Sequence, residues 1–422
     1  MKGELSTWPE DEAAMRAAAF AFDLKRLERR FLDNPYPLYR ALRRHDPIHR
    51  MPDGSYFLSR YDDCVAVYRD TVIWSSDKKI DFRPNFGASA LYEHHTTSLV
   101  FNDPPYHTRV RRLLAPAFTP RALVALQPRV EALIDRLLDR LAARGQFDLI
   151  ADFAAAIPVQ LIGDMLGVPE TERGPLRGWS LAILGALEPV LSPDQFERGV
   201  TAVEAFKAYL IDLVERRLAT DKGDPAEILS TLIEASDFRP QEAGTERLSK
   251  LELVHNCIFL LNAGHETTTN LIGNGIDLLV RHPAALAELR REPGLIASAV
   301  EEFLRLESSN QLGNRRAAQD AVLSDIAIPA GAYVHIGIGA ANRDPAQFPE
   351  PERLDIRRHP NRHLAFGTGI HACAGLSLAR MEAEVAIGKF VQRFGRFERD
   401  GEPVRGGRAR FRGFLRYPLR AG

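Results

Sequence analysis

The stretch Phe366-Gly367-Thr368-Gly369-Ile370-His371-Ala372-Cys373-Ala374-Gly375 places one cysteine behind two glycines and directly before an amphipathic run, 376–394. A cysteine at the N-terminal end of a helix lies near backbone N–H groups whose partial positive charge favours thiolate over thiol. Gly367, Gly369 and Gly375 predict positive φ angles and a backbone that a flat ligand can approach closely. A thiolate held in this way suits haem iron as an axial ligand, although a lone cysteine is also a common small core residue.

The bulk properties exclude several classes of protein. The chain has 422 residues and a net charge of −1, so no general attraction to nucleic acid or anionic membranes is expected. Its three cysteines, Cys64, Cys257 and Cys373, are far apart, which argues against a disulfide framework or a zinc knuckle and fits a reducing cytosol. No stretch approaches the ~18–20 apolar residues of a membrane span, and the first thirty residues lack a signal-peptide core. The sequence predicts a cytoplasmic protein without a membrane anchor.

Most of the chain has helical periodicity. Apolar residues recur at i, i+3 and i+4 over 121–144 and 194–220, with charged residues between them. The polar stretches 221–225 and 240–244 predict surface turns on either side of a short helix.

Strand signals are few and local. Pro52-Asp53-Gly54 predicts a hairpin turn between 47–51 and 56–59, and Pro329-Ala330-Gly331 predicts a second one between 322–328 and 333–337. The expected fold class is mainly α with small β-sheets (α+β). We expect a single domain over 1–422, with an N-terminal arm of about residues 1–33.

A long helix is predicted to begin at Ser249 and to run to His282, where Pro283 stops it. Ser249 and Glu252 have the spacing of a capping box, and the helix of about 33 residues would be roughly 50 Å long. Its middle, 262–270, contains a glycine, an acid and three threonines, which are poor helix formers. Such a weak polar centre indicates either a functional groove or a kink whose polar groups are satisfied by neighbours.

The complete string F-G-x-G-x-H-x-C-x-G resembles the haem-binding loop of the cytochrome P450 family, the haem-thiolate monooxygenases. Further motifs follow in the family's order from about residue 34 to residue 414, so the resemblance covers almost the entire chain. It implies the cytochrome P450 fold, with a long central helix over haem b. It also implies that the haem contacts the loop residues Phe366, Gly367, His371, Cys373 and Gly375, with Cys373 as the iron ligand.

The centre of the long helix resembles the family's oxygen-activating segment, A-G-x-[DE]-T-T. This resemblance implies that Ala263 and Gly264 lie over the haem. It also implies that Glu266 and Thr267 are catalytic and relay protons to dioxygen. The acid is glutamate where aspartate is commoner in the family.

Two further motifs extend the resemblance to the propionates and the proximal side. His107 and Arg111 resemble the family's H-x-x-x-R, and Arg315 and His371 match two more propionate partners; the neighbouring Arg316 is the alternative to Arg315. Glu302 and Arg305 resemble the family's E-x-x-R pair. With Arg353 they are implied to form a buried structural triad.

The predicted function is a haem-thiolate monooxygenase that inserts one oxygen atom from O₂ into a small-to-medium, mainly apolar substrate. The resemblance implies electrons from NAD(P)H through a reductase and an iron–sulfur ferredoxin, and we expect a monomer with no nucleic-acid or membrane partner. The alternatives are a non-catalytic haem-binding sensor or carrier and a peroxide-dependent haem-thiolate enzyme. An intact acid–threonine pair favours the monooxygenase.

Overall fold

The structure, a computed structural model, describes residues 8–9, 11–220, 227–238 and 247–422. It is mainly helical with small sheets, as predicted. The predicted polar turns at 221–225 and 240–244 lie outside the described residues, and the short helix expected between them is present. Among the described helices, none has an apolar run long enough to cross a membrane.

The helices agree closely with the periodicity of the sequence. In chain order, the α-helices are α1 (Glu12–Phe20), α2 (Arg29–Asp33), α3 (Tyr36–His45), α4 (Tyr61–Arg69), α5 (Lys79–Phe86), α6 (Ala90–Thr97), α7 (Tyr106–Leu114), α8 (Pro120–Arg144), α9 (Ala156–Met165), α10 (Leu176–Gly185), α11 (Pro193–Thr220), α12 (Ile228–Glu234), α13 (Lys250–Arg281), α14 (Pro283–Arg291), α15 (Ile296–Leu306), α16 (Ile338–Ala341) and α17 (Leu376–Arg393).

The strands are all short. They are β1 (Ile48–Arg50), β2 (Tyr56–Leu58), β3 (Trp74–Ser75), β4 (Gln146–Asp148), β5 (Leu312–Ala317), β6 (Ala321–Leu323), β7 (Ile326–Ile328), β8 (Tyr333–Gly337), β9 (Phe397–Arg399), β10 (Val404–Arg405), β11 (Phe414–Arg416) and β12 (Pro418–Ala421).

The chain divides into two compact units. The first consists of Met1–Ser76, Asn270–Cys373 and Gly395–Arg420, and the second of Asp77–Thr269, Ala374–Phe394 and Ala421–Gly422. Helix α13 continues from the second unit into the first. That the whole chain is a single domain stays a prediction.

A five-stranded sheet in the order β1-β2-β8-β5-β3 organises the first unit. The predicted hairpin of β1 and β2 is present, with Ile48 opposite Leu58. The second predicted hairpin is wrong. Strand β8 pairs with β5 and β2, whereas β6 and β7 pair with each other around Ser324 and Asp325, both at positive φ. The hairpin turn therefore falls at Ser324-Asp325 rather than at Pro329.

The described part of the predicted N-terminal arm packs into the core of the first unit. Ala19, Phe22 and Phe31 are buried, and the Phe22 ring meets Phe57 of β2 edge-on with centroids 5.0 Å apart. Apolar side chains of α1, α2 and the segment between them thus belong to one core cluster with Phe57 of β2.

The second unit is built around long helices. The Trp179 ring on α10 stacks on Phe206 of α11 at 5.0 Å, and Phe390 of α17 packs on Phe153 at 5.5 Å. Helix α13 begins as predicted: the Ser249 N–H donates to Glu252 Oε2 at 2.7 Å, and the Glu252 N–H donates to Ser249 Oγ at 3.2 Å. This capping box supplies partners for two otherwise unpaired N–H groups.

Candidate active site

The loop before α17 is folded tightly by its glycines. Gly367 and Gly369 have φ of +64° and +75°, and a Cβ on Gly369 would lie 2.7 Å from the Tyr68 carbonyl oxygen. The backbone N–H of Cys373 donates to the Phe366 carbonyl at 2.9 Å, which closes the loop. Only glycine meets both demands at Gly369. The expectation for Gly375 is wrong: its φ is −92°, and it is the N-cap residue of α17.

The cysteine of this loop differs from the other two. Cys64 and Cys257 are completely buried, and burial raises the pKa of both thiols, that of Cys257 to about 12. Cys373 is partly exposed. Cys373 is therefore the cysteine best placed to present its sulfur to a ligand, whereas Cys64 and Cys257 are core residues.

The basic residues predicted for the propionates lie in both units. In the first unit, Arg315 on β5 is buried, and its guanidinium lies over the Tyr68 ring, 5.1 Å from the centroid. His371 ends the turn Gly369–His371 of the cysteine loop. In the second unit, His107 and Arg111 are one turn apart on α7, with His107 buried and Arg111 partly exposed. Arg316, the alternative to Arg315, is less buried.

The middle of α13 has an exposed strip in an otherwise buried helix. Ala263 is exposed and Gly264 and Thr267 are partly exposed, whereas Glu266 is buried. The Thr267 hydroxyl donates to the Ala263 carbonyl at 2.6 Å, a side-chain-to-backbone hydrogen bond within one helical turn. A Cβ on Gly264 would lie 2.4 Å from Ile162 Cδ1, so Gly264 allows the close approach of Ile162.

The predicted E-x-x-R pair is a buried ion pair. Glu302 and Arg305 side chains are both 0% exposed, and they form two parallel hydrogen bonds of 2.7 and 2.8 Å. The other guanidinium nitrogen of Arg305 donates to the carbonyls of Asn342 and Pro351. The pair thus joins α15 to the segment that leads to the cysteine loop.

The prediction that Arg353 is the third buried member of the triad is wrong. The Arg353 side chain is 63% exposed and pairs with Glu350, and Arg353 contributes only its backbone carbonyl to Arg305. Arg358 lies 3.2 Å from the Glu302 carboxylate.

Two residues of this cluster were missed by the sequence reasoning. Neither Arg358 nor Asn361, whose Nδ2 donates to the Glu302 carboxylate at 3.1 Å, was predicted to contact Glu302. The presence of two adjacent arginines, Arg357 and Arg358, was the available signal.

The residues of the first unit fit a haem group. Cys373 offers a sulfur donor on a residue that is not fully buried, the glycine loop offers a close backbone, and Arg315 and His371 offer partners for carboxylates. In the second unit, Glu266 and Thr267 are an acid and a hydroxyl beside the exposed strip of α13. A sulfur donor in such a loop is the kind of site that a haem protein with a thiolate ligand requires.

Comparison with known proteins leads to the family. The cytochrome P450 family profile matches residues 182–406. The vitamin D(3) 25-hydroxylase of Pseudonocardia autotrophica is 41% identical over 85% of this chain and 86% of its own. The cytochrome P450 monooxygenase PikC of Streptomyces venezuelae is 38% identical over 88% of this chain and 86% of its own. The crystal structure of CYP109E1 from Bacillus megaterium in complex with testosterone superposes with a TM-score of 0.84 at 31% identity, covering 93% of this chain and 99% of that one.

The chain therefore belongs to the cytochrome P450 family. It is a P450 monooxygenase of the bacterial type, and its cofactor is haem b. The fold and family predicted from the sequence are confirmed.

Proposed function

We propose that this monooxygenase inserts one oxygen atom of O₂ into a small-to-medium, mainly apolar substrate, with Cys373 as the iron ligand. The observation that carries the proposal is the partly exposed Cys373 in a glycine loop that directly precedes α17. A thiolate ligand donates electron density to the metal and favours O–O cleavage. The cytoplasmic location and the monomeric state stay predictions.

The haem, when bound, supplies the oxygen-activating chemistry. The protein residues would hold and orient it: Cys373 at the iron, and His107, Arg111, Arg315 and His371 at the propionates. On the cysteine side, the haem would pack against Phe366, Gly367 and Gly375. On the side of α13, it would pack against Ala263 and Gly264. Glu266 would take a proton from solvent and pass it to the Thr267 hydroxyl, which would donate a proton at the site of dioxygen.

Electrons would come from NAD(P)H through a reductase and an iron–sulfur ferredoxin. The proposal is tested by reconstituting the holoenzyme with a bacterial ferredoxin, its reductase and NADPH under ¹⁸O₂. One ¹⁸O atom in the product supports it. Product that forms only with added peroxide, and carries no ¹⁸O from O₂, would identify the peroxide-dependent alternative.

The substrate class is supported by the relatives. One relative is named for a hydroxylation of vitamin D(3), and the CYP109E1 structure contains testosterone. Both compounds are medium-sized, mostly apolar organic molecules. We therefore expect a spin-state change of the haem when vitamin D(3) or testosterone is titrated into the protein, and none with a small ionic compound such as citrate. A response to citrate alone would contradict an apolar pocket.

Replacing Thr267 with alanine tests the proton relay. The variant is expected to bind substrate as before but to divert electrons to hydrogen peroxide, lowering product per NADPH by about 10²-fold, the lower end of what a positioned acid–base group contributes. The measurement is the ratio of product to NADPH consumed.

The matched control is Thr269→Ala. The Thr269 hydroxyl donates to the His265 carbonyl at 2.9 Å, the same kind of back-bond, but Thr269 is buried. Its variant should keep the wild-type ratio. Normal product per NADPH in Thr267→Ala would refute the relay.

A further inference from the structure

Asn262 is a buried side chain on α13 whose carboxamide makes no hydrogen bond. It is 2% exposed, and neither Oδ1 nor Nδ2 has a hydrogen-bond partner among the described residues. A buried amide without partners destabilises a fold, because it has given up its hydrogen bonds to water. An apolar side chain of similar size would avoid this loss. Residues that break a local rule in this way often serve function.

The position of Asn262 places it one turn before Glu266. Residues at i and i+4 of a helix lie on the same face, with Cβ atoms about 5–6 Å apart. Glu266 is also buried, at 7% exposure, and both residues flank the exposed strip that contains Ala263 and Thr267. The carboxamide is therefore within side-chain reach of the acid.

The other polar neighbour on this flank, His265, is already engaged elsewhere. Its Nδ1 lies 3.3 Å from Ser180 Oγ of α10. Burial, and to a lesser extent Arg177, lowers its pKa to about 3, so the ring is neutral at ordinary pH. Adjacent residues of a helix do not face each other, so His265 is poorly placed for Glu266. Asn262 is a neutral polar side chain one turn from the acid on its N-terminal side.

We infer that Asn262 is a positioning residue for Glu266, a hydrogen-bonding partner to which the acid turns during proton transfer. An amide has both a donor and an acceptor. Its Nδ2 donates to the carboxylate, and its Oδ1 accepts from the carboxylic acid, so Asn262 accompanies Glu266 in either protonation state. The inference rests on the proposed function, in which Glu266 carries protons.

The test compares Asn262→Leu with Asn256→Leu in the holoenzyme. Asn256 is a matched control, because it is also buried on α13 but fully paired: its Oδ1 accepts from the Leu99 N–H, and its Nδ2 donates to the Glu252 carbonyl. Asn262→Leu should raise the midpoint of thermal unfolding by ~2 °C, and Asn256→Leu should lower it. A lower midpoint for Asn262→Leu would show that the amide is structural and overturn the inference.

Two measurements test whether Asn262 acts through Glu266. They are the infrared band of the Glu266 carboxyl group and the share of NADPH electrons that is lost to hydrogen peroxide. The Glu266 carboxyl band is the one that Glu266→Gln removes, and it should shift in Asn262→Leu. With testosterone as the probe, Asn262→Leu should raise the share of NADPH electrons recovered as hydrogen peroxide about two- to tenfold, the effect of one lost hydrogen bond. It should add nothing further in a Glu266→Gln background, since both variants would break the same route.

The role of Asn262 would be overturned if the Glu266 carboxyl band did not shift in Asn262→Leu. It would also be overturned if the two substitutions together raised peroxide formation more than Glu266→Gln alone. If Glu266→Gln alone kept the wild-type ratio of product to NADPH, the proposed relay would be wrong, and this inference with it.

Discussion

Replacing Cys373 with alanine is expected to abolish the thiolate signature of the reduced carbon monoxide complex and to reduce monooxygenase activity to background. Alanine offers no donor atom, and neither of the other cysteines can substitute. Cys64 and Cys257 are completely buried, with thiol pKa values raised by burial. The measurement is the absorption spectrum after reduction and addition of carbon monoxide, together with product formation.

The control for this variant is Cys257→Ala. Cys257 lies in the core on α13, so its loss is expected to lower stability slightly and to leave the spectrum unchanged. If Cys373→Ala kept the red-shifted absorption maximum, or Cys257→Ala lost it, the assignment of the ligand would be wrong.

Replacing Arg305 with leucine is expected to destabilise the protein by about 3–5 kcal/mol, because the Glu302 carboxylate would stay buried without its bidentate partner. Arg358 and Asn361 would still contact that carboxylate, so the loss should fall short of complete unfolding. The carbonyls of Asn342 and Pro351 would also lose their donor. The measurement is the urea midpoint followed by circular dichroism.

Arg353→Ala separates the two arginines of the predicted triad. Its exposed pair with Glu350 should contribute about 0–1 kcal/mol, so the urea midpoint should hardly move. Equal losses in Arg305→Leu and Arg353→Ala would contradict the ion-pair geometry.

Features fixed by local chemistry could be predicted from the sequence. Two local signals predict the ends of α13 to within one residue: the capping box of Ser249 and Glu252 at its start, and the proline at 283 at its end. Each signal acts within one helical turn. The glycines before Cys373 predicted a tight loop for the same reason, and Gly367 and Gly369 do have positive φ. Gly375 does not, since a helix N-cap needs no such angle.

Features fixed by distant partners could not be predicted. Arg353 and Arg358 are five residues apart, and nothing local shows which of them turns toward Glu302. From the local sequence, strand β8 could form a hairpin with the segment 322–328 or pair with β2 and β5. It pairs with β2 and β5, which are distant in the sequence.

The same limit applies to the site on α13. The weak polar centre of the helix pointed to Glu266 and Thr267, and the structure shows the threonine back-bond there. That the amide of Asn262 is buried without a partner depends on packing against other elements, which no periodicity reports.

The central claim is that a sulfur atom of this chain binds the haem iron. Iron-edge X-ray absorption of the purified, coloured wild-type protein measures this directly. We expect a sulfur scatterer at bonding distance in addition to the porphyrin nitrogens, and its loss in Cys373→Ala. A first shell of nitrogen and oxygen alone in the wild-type protein would contradict the account.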